Sequence, residues 1–340
     1  MNNIIFTRDI RADLQLKLAD FGIADIFVLV DNNSRNFCQR SFEDFGISEE
    51  HIITIPEGEH HKSLESVAEI WQVLSDQGAR RNAVLVNVGG GVITDLGGFA
   101  ASCFKRGIHC VNIPTTLLAQ IDASVGGKTG FDFNGLKNEI GSFAIPDWVL
   151  IDNHFLATLP ERQIMSGFAE MLKHALLADE EHVAEAMQVD FAGVAEEDFL
   201  KLIRKSVAVK AAIVQSDPRE KGLRKALNFG HTVGHAIESV AIRRGLDIFH
   251  GDAVAYGMIA ELFLSVQKLG FDEKHFEAVR KFIREKYHPV AEADELYELM
   301  LHDKKNEQAG VNFTLIHKPG EFDIDNYCSR DEIFEALKQI

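Results

Sequence analysis

The run Ala83-Val84-Leu85-Val86-Asn87-Val88 followed by Gly89-Gly90-Gly91-Val92-Ile93-Thr94-Asp95 decides the fold. A β-branched apolar stretch stops at three glycines and gives way to a helix-compatible segment, which predicts a buried strand, a tight turn and a helix. Glycines at such a turn let the backbone approach a pyrophosphate, whose charge the amides of the helix N-terminus then face. A plain tight turn, with Thr94 or Asp95 as the helix cap, accounts for the same residues, because the run is not the GxGxxG fingerprint. Working outward, similar apolar runs recur at Ile26 to Val30, Ile52 to Ile55, Ile108 to Ile113 and Val149 to Ile151. Between them Leu64, Val67, Ile70, Trp71 and Leu74 repeat at helical spacing. Strands alternating with helices predict an α/β domain, a parallel sheet with helices on its faces.

The texture changes near residue 152. Thr158 with Pro160 shortly after it marks a helix start, and Asp198 to Val214 carries a helical period through Phe199, Leu202, Ile203 and Val207. Apolar strand runs nearly vanish, so the second half, residues 153–340, is expected to be a mainly helical domain. The length of 340 residues fits two domains at roughly 150 residues each. With 46% hydrophobic residues the chain has ample material for a core. A formal charge of −17 argues against nucleic acid or anionic lipid as a partner, since such a chain repels phosphate at long range. Cys38, Cys103, Cys110 and Cys328 form no CxxC pair, the N-terminus lacks a signal-peptide apolar stretch, and no run approaches the roughly 18 apolar residues of a membrane span. A cytoplasmic protein is the expectation.

Two further constellations carry chemistry. Pro114-Thr115-Thr116 through Asp122, Ser124 and Gly126-Gly127-Lys128-Thr129-Gly130 packs hydroxyls, a carboxylate and a lysine among glycines, which suits a ligand with hydroxyl and anionic groups. Gly-Gly-Lys-Thr here is not a P-loop, because the glycine required upstream is missing; a solvated polar loop is the plainer reading. Glu170 and Lys173 share one face of an expected helix, and His231 and His235 stand at i and i+4 on another, with His250 farther on. By spacing, His231 and His235 could hold one zinc ion, with Glu170 or His250 as third ligand and open positions left for substrate. Arg106, Lys137, Lys210 and Arg224 lie near these segments and matter together only if the fold gathers them.

With these motifs in place, the chain resembles the 3-dehydroquinate synthases, within the sugar phosphate cyclases, through Gly89 to Arg106, Pro114 to Asn138, Leu159 to Lys173, Lys210 to Glu238 and His250 to Met258. That resemblance implies an NAD-binding Rossmann-like domain over residues 1–152 and a helical metal- and substrate-binding domain over 153–340. It implies metal ligation, by zinc or cobalt, through Glu170, His231 and His250, leaving His235 as a proton-transfer or phosphate-contacting group. NAD contacts would come from Glu59, Lys62, Gly90, Gly91, Val92, Asp95, Thr115, Thr116, Lys137 and Thr158. Substrate contacts would come from Arg106, Asp122, Lys128, Asn138, Lys173, Lys210, Arg224 and Asn228, with Glu220 a proton acceptor and Lys128, Lys173 and Lys210 also catalytic. One lysine of Asp303-Lys304-Lys305 would reach the substrate. The activity implied is conversion of 3-deoxy-D-arabino-heptulosonate 7-phosphate to 3-dehydroquinate and phosphate, a step of the shikimate pathway, in a protein commonly homodimeric.

Relatives that cyclise sedoheptulose 7-phosphate differ at the positions of Asn228 and His235, and both residues here are of the dehydroquinate type. Departures from the family pattern are Leu136, Thr94, Asp252 and the loose fit of Asp31-Asn32 to the first NAD loop; none removes a charged group of the implied site. A metal-dependent polyol dehydrogenase of the glycerol dehydrogenase type is the competing reading. The cationic set Lys128, Lys173, Lys210 and Arg224, which a neutral polyol does not need, favours the cyclase.

Overall fold

The computed structural model describes residues 3–36, 45–134, 136–288, 294–301 and 310–340. The chain divides into two compact units, Met1–Leu159 with Gly193–Val207, and Pro160–Ala192 with Ala208–Ile340. Among the described residues, Cys103, Cys110 and Cys328 form no disulfide, and no helix is long and apolar enough to cross a membrane.

The first unit holds a six-stranded sheet built from β1 (Ile4–Phe6), β2 (Ile26–Asp31), β3 (Ile52–Ile55), β4 (Val84–Gly89), β5 (His109–Pro114) and, after a hairpin described below, β8 (Trp148–Ile151). Its order is β1-β8-β5-β4-β2-β3, and every pairing is parallel. Side chains alternate faces along each strand. On one face Phe27, Leu29, Ile53, Ile55 and Leu85 pack with Val67, Ile70 and Leu74 of α2 (Leu64–Asp76) and Ile93 and Leu96 of α3 (Gly91–Cys103). On the other, Val28, Val30, Val84, Val86 and Val88 pack with Leu14 and Leu18 of α1 (Ile10–Leu18). Both faces are covered, which is why these strands read as continuous apolar runs rather than alternating ones. From β2 the chain steps outward to β3, and from β4 it steps the other way to β5, so the sheet reverses direction between β2 and β4. In such sheets the crevice beyond the C-terminal ends of the strands at that reversal is the ligand position. The glycine turn sits there.

Three elements escape the sequence reading. β1 is only three residues long and lies at the sheet edge. The polar run after β5 is no solvated loop: it forms a single π turn over Ala119–Ala123 and then an antiparallel hairpin, β6 (Lys128–Phe133) with β7 (Leu136–Phe143). Gln120 is fully buried there and donates to the carbonyls of Pro114 (3.2 Å) and Asp152 (2.9 Å). Gly130 and Gly141 hide the strand pattern because they must be small: a Cβ on either would run into the opposite strand's backbone. The helix after the glycine turn begins at Gly91 with Gly90 as its cap, so Thr94 and Asp95 lie inside the helix rather than capping it.

The second unit is mostly helical: α4 (Glu161–Ala178), α5 (Glu180–Met187), the end of α6 (Glu197–Ser216), α7 (His231–Arg244), α8 (His250–Leu269), α9 (Glu273–Lys286), α10 (Asp294–Leu301) and α11 (Arg330–Leu337). The first turns of α6 belong with the first unit, where Asn153 Nδ2 donates to the carbonyls of Val194 and Glu196, each at 2.9 Å. A hairpin, β9 (Val311–Lys318) with β10 (Glu321–Cys328), was not expected in this half. Its Lys318-Pro319-Gly320-Glu321 corner is a turn signal that the helical reading passed over.

Candidate active site

At the C-terminal end of β4 the backbone of Gly90 and Gly91 lies against the segment that follows β5. A Cβ on Gly90 would stand 3.2 Å from Thr116 Cγ2, and one on Gly91 would stand 3.3 Å from Ala123 Cβ. The Thr115 amide donates to the Gly89 carbonyl at 2.9 Å, which holds the two loops together. These glycines keep a narrow backbone cradle open at a helix N-terminus, which fits a pyrophosphate. Val92 follows in the first turn of α3 and Asp95 just beyond it, and Thr158 ends a short 3-10 segment beyond β8, at the same end of the sheet.

Beside the cradle, several expected residues come together in one polar group. Lys62 is buried and donates to Asp95 Oδ2 and Asn138 Oδ1, each at 2.6 Å. Burial opposes the charge of Lys62, but the neighbouring Asp95 and Glu59 carboxylates outweigh it and raise its pKa. Lys137 stands 3.7 Å from Glu59, and the Asn138 amide donates to Asp132 Oδ1 at 2.8 Å. Asn138 has φ of +51°, a conformation that asparagine tolerates better than most residues. Asp122 lies in the π turn, a feature that often marks functional sites, and Lys128 opens β6. Arg106 does not come to this end. It follows α3, about 20 Å along the helix from Gly90 by the usual rise per residue, near the N-terminal end of β5.

In the second unit α4, α7 and α8 bring Glu170, His231 and His250 to one point, with a ligand atom of each within 4.8 Å of the others. Nε2 of His231 and Nε2 of His250 stand 3.2 and 3.4 Å from Glu170 Oε1. The opposite ring nitrogens are tied off: His231 Nδ1 is 3.1 Å from the Phe229 carbonyl, and His250 Nδ1 is 3.3 Å from Glu238 Oε2. Anchoring the far nitrogen to a carbonyl or carboxylate is what orients a metal-binding imidazole. Glu170 is fully buried, and the Lys173 ammonium pairs with it. A buried carboxylate facing two imidazoles whose far nitrogens are anchored fits a divalent cation of the zinc or cobalt class.

The charges follow from this packing. Burial works against ionising Glu170, but the Lys173 charge and then His231 hold its carboxyl well below the usual range. Burial and then the Lys173 charge lower the pKa of His231. For His250 burial is outweighed by the Glu238 and Glu170 carboxylates, which bring its pKa up to about 10.

His235 shares a helix face with His231, their rings 5.2 Å apart, yet it is exposed and outside this trio. Of the alternatives left open by spacing, geometry brings His250 to His231 and Glu170 and leaves His235 alongside.

Lys173 also donates to the Leu227 carbonyl at 2.9 Å, which ties the trio to the 3-10 segment Leu223–Asn228. In that segment Asn228 Nδ2 donates to Glu220 Oε1 at 3.0 Å, and buried Arg224 donates to the Pro218 carbonyl at 2.8 Å. Lys210, on the last turns of α6, is nearly buried. Lys304 and Lys305 lie outside the described residues.

Two contributors went unnoticed in the sequence. Asp217 builds the loop that carries Glu220 and Arg224, its oxygens accepting from the amides of Lys221 (3.0 Å), Gly222 (2.6 Å) and Arg224 (3.2 Å). Glu238 steadies His250, and its spacing was a usable signal: His231, His235 and Glu238 stand at i, i+4 and i+7, one helix face.

Residues 52–166 match the family model described as 3-dehydroquinate synthase N-terminal, and residues 167–306 the one described as 3-dehydroquinate synthase C-terminal. A 3-dehydroquinate synthase of Parabacteroides distasonis is 45% identical over 340 residues, covering 98% of this chain and 96% of that one. Among solved structures, a 2-epi-5-epi-valiolone synthase from Streptomyces hygroscopicus subsp. jinggangensis, with NAD+ and Zn2+ bound, is 28% identical with a TM-score of 0.82 over 98% of this chain and 95% of that one. A 2-deoxy-scyllo-inosose synthase complexed with carbaglucose-6-phosphate, NAD+ and Co2+ shares the fold at 22% identity, with a TM-score of 0.86 over 99% and 96% of the two chains. Both halves of the sequence, matched in order and supported by a relative alike along almost its whole length, say the same thing: the chain belongs to the 3-dehydroquinate synthase family.

Proposed function

We propose that the chain converts 3-deoxy-D-arabino-heptulosonate 7-phosphate to 3-dehydroquinate and inorganic phosphate, a carbon–oxygen lyase reaction with no net redox change, acting as a homodimer. The observation that carries this reading is the trio Glu170, His231 and His250, with both imidazoles anchored behind and Lys173 beside the carboxylate. NAD, seated on the Gly90–Gly91 cradle, would supply a reversible hydride acceptor, and a divalent metal, held by Glu170, His231 and His250, would supply Lewis acidity toward a substrate hydroxyl.

The chain's own residues do the rest. Gly90 and Gly91 hold the pyrophosphate of NAD at the start of α3, with Thr115 and Thr116 on the facing loop. Glu59, Lys62, Asp95 and Lys137 form the polar wall beside it. Glu170, His231 and His250 hold the metal. Lys173 keeps the Glu170 carboxylate ionised and fastens the Leu223–Asn228 segment through the Leu227 carbonyl. Lys128, Lys210 and Arg224 neutralise the substrate carboxylate and the departing phosphate, whose negative charge grows as the carbon–oxygen bond breaks. Proton removal from the carbon next to the new ketone falls to Glu220, positioned by Asn228, or to the phosphate itself. Exposed His235, one turn along α7 from His231, moves protons during ring opening and closure. Asp122 and Asn138 supply hydrogen bonds to hydroxyls.

The test is to supply the heptulosonate phosphate with catalytic NAD and metal, and to follow phosphate release together with absorbance of NADH. Phosphate released without accumulating NADH is the expected result. NADH formed stoichiometrically on a polyol, with no phosphate released, would overturn the reading in favour of a dehydrogenase. A monomeric mass in solution would remove the dimer from it.

A further inference from the structure

α7 begins under an unusual constraint. Its cap residue, Gly230, has φ of +79° and no side chain to accept from the first turn, so the leading amides need acceptors from elsewhere. Both oxygens come from Glu261, fully buried in the middle of α8. Glu261 Oε2 accepts from the Gly230 amide at 2.7 Å, and Oε1 accepts from the amides of Thr232 at 3.1 Å and Val233 at 3.4 Å. A carboxylate at a helix N-terminus meets both the free donors and the favourable end of the helix dipole, and such charge-assisted bonds are stronger than neutral ones.

The placement on α8 gives this bond a second meaning. Glu261 lies eleven residues after His250, three helical turns, and Gly257 lies seven after it, so all three share one face of α8. On that face Gly257 admits the α7 backbone at Gly230 and Gly234. The clamp is reciprocal: Glu238 of α7 holds the His250 ring of α8, and Glu261 of α8 holds the first turn of α7, where His231 stands. Fixing the start of α7 against α8 fixes His231 relative to His250.

We propose that Glu261 is a positioning residue for the metal site, presetting His231 opposite Glu170 and His250 before any metal arrives. The proposal rests on the reading of Glu170, His231 and His250 as metal ligands. Its test is zinc affinity of the metal-free full-length chain, by competition with a chromogenic chelator. Glu261→Gln keeps the volume but offers one acceptor and a donor that faces amide donors. We expect it to weaken zinc binding about tenfold, the lower end of what loss of an outer partner costs a metal site, with Glu261→Asp recovering part of the loss.

Ser265→Ala is the structural control. It removes the bonds from the Ile316 amide to Ser265 Oγ (3.0 Å) and from Ser265 Oγ to the Glu261 carbonyl (2.8 Å), one turn farther along α8. It should lower the melting temperature and leave zinc affinity unchanged. Wild-type zinc affinity in Glu261→Gln, or an equal weakening in Ser265→Ala, would overturn the proposal. Should Glu261→Gln not fold, hydrogen exchange on the wild type decides: peptides covering 229–235 must be protected without zinc, and fast exchange there would refute presetting. Equal zinc binding by wild type and His250→Ala would overturn the ligand reading itself. A zinc-free His250→Ala beside an unaffected Glu261→Gln would overturn only the role of Glu261.

Discussion

Gly257→Ala adds a single methyl group where α7 and α8 cross, and the structure allows its effect to be worked out. The new Cβ would collide with the Gly230 carbonyl oxygen and would lie 2.9 Å from both Gly230 C and Gly234 N, against ordinary contacts of 3.4–4 Å. All three are backbone atoms, so no side chain can swing aside, and the helices must part by on the order of 1 Å. Alanine improves helix propensity over glycine by about 1 kcal/mol, whereas overpacking against rigid neighbours costs about 3 kcal/mol at the upper end of its usual range. The clash wins, for a net loss of about 2 kcal/mol. Metal sites tolerate ligand displacements of only about 0.2 Å, so the parting, next to His231, should weaken zinc binding at least tenfold beyond what the stability loss explains. Urea unfolding followed by circular dichroism measures the first effect, and chelator competition at a urea-free temperature where the variant is fully folded measures the second. A variant as stable as the wild type with the same zinc affinity would refute the packing argument. A destabilised variant with unchanged zinc affinity would show that the metal site does not depend on this crossing.

His250→Ala should abolish turnover and lose bound metal; metal analysis that finds full stoichiometry would remove His250 from the ligand set. Lys210→Ala should impair substrate binding or phosphate release while leaving NAD affinity nearly unchanged, and an NAD titration showing the reverse would contradict its assignment. Gly90→Val pushes a branched side chain toward Thr116, whose Cγ2 would already be 3.2 Å from a Cβ there, so NAD affinity measured by fluorescence quenching should fall at least tenfold with zinc affinity unaffected. At the C-terminus the Lys268 hydrogen bond, followed by the Ser329 amide, lowers the Glu332 carboxyl to about 2 from the ordinary 4.5. A depressed carboxylate contributes stability that is complete above 4.5 and disappears as pH falls toward 2. Glu332 is 37% exposed, so solvent screening limits the effect to about 1 kcal/mol or less. The melting-temperature gap between wild type and Glu332→Gln should therefore narrow between pH 5 and pH 3; a constant gap would show that the pairing contributes nothing.

The parallel sheet and its glycine turn were legible because both are local: continuous apolar runs report strands buried on two faces, and consecutive glycines report a backbone that must pass close to something. The β6–β7 hairpin was not legible, since the glycines it needs at Gly130 and Gly141 erase the alternation that normally reveals a strand. Spacing offered His231 and His235 as a ligand pair with Glu170 or His250 as the third, and could not show that Glu170 and His250 both reach His231 while His235 stays outside. That arrangement depends on α8 lying across α7, and Gly257 and Gly230 decide how closely it does so.

By itself, then, the sequence determined the strand and helix pattern of the first half, the residue types that bind anions and metal, and, through its resemblance, the family. Tertiary structure alone decided that Glu238 reaches across to the His250 ring and that Glu261 caps the first turn of α7, a reciprocal clamp between the two helices. The physical reason is the same in each case. Periodicity fixes a residue's direction within its own helix or strand, whereas a metal site or a capped helix is defined by atoms a few ångströms apart on elements distant in the chain.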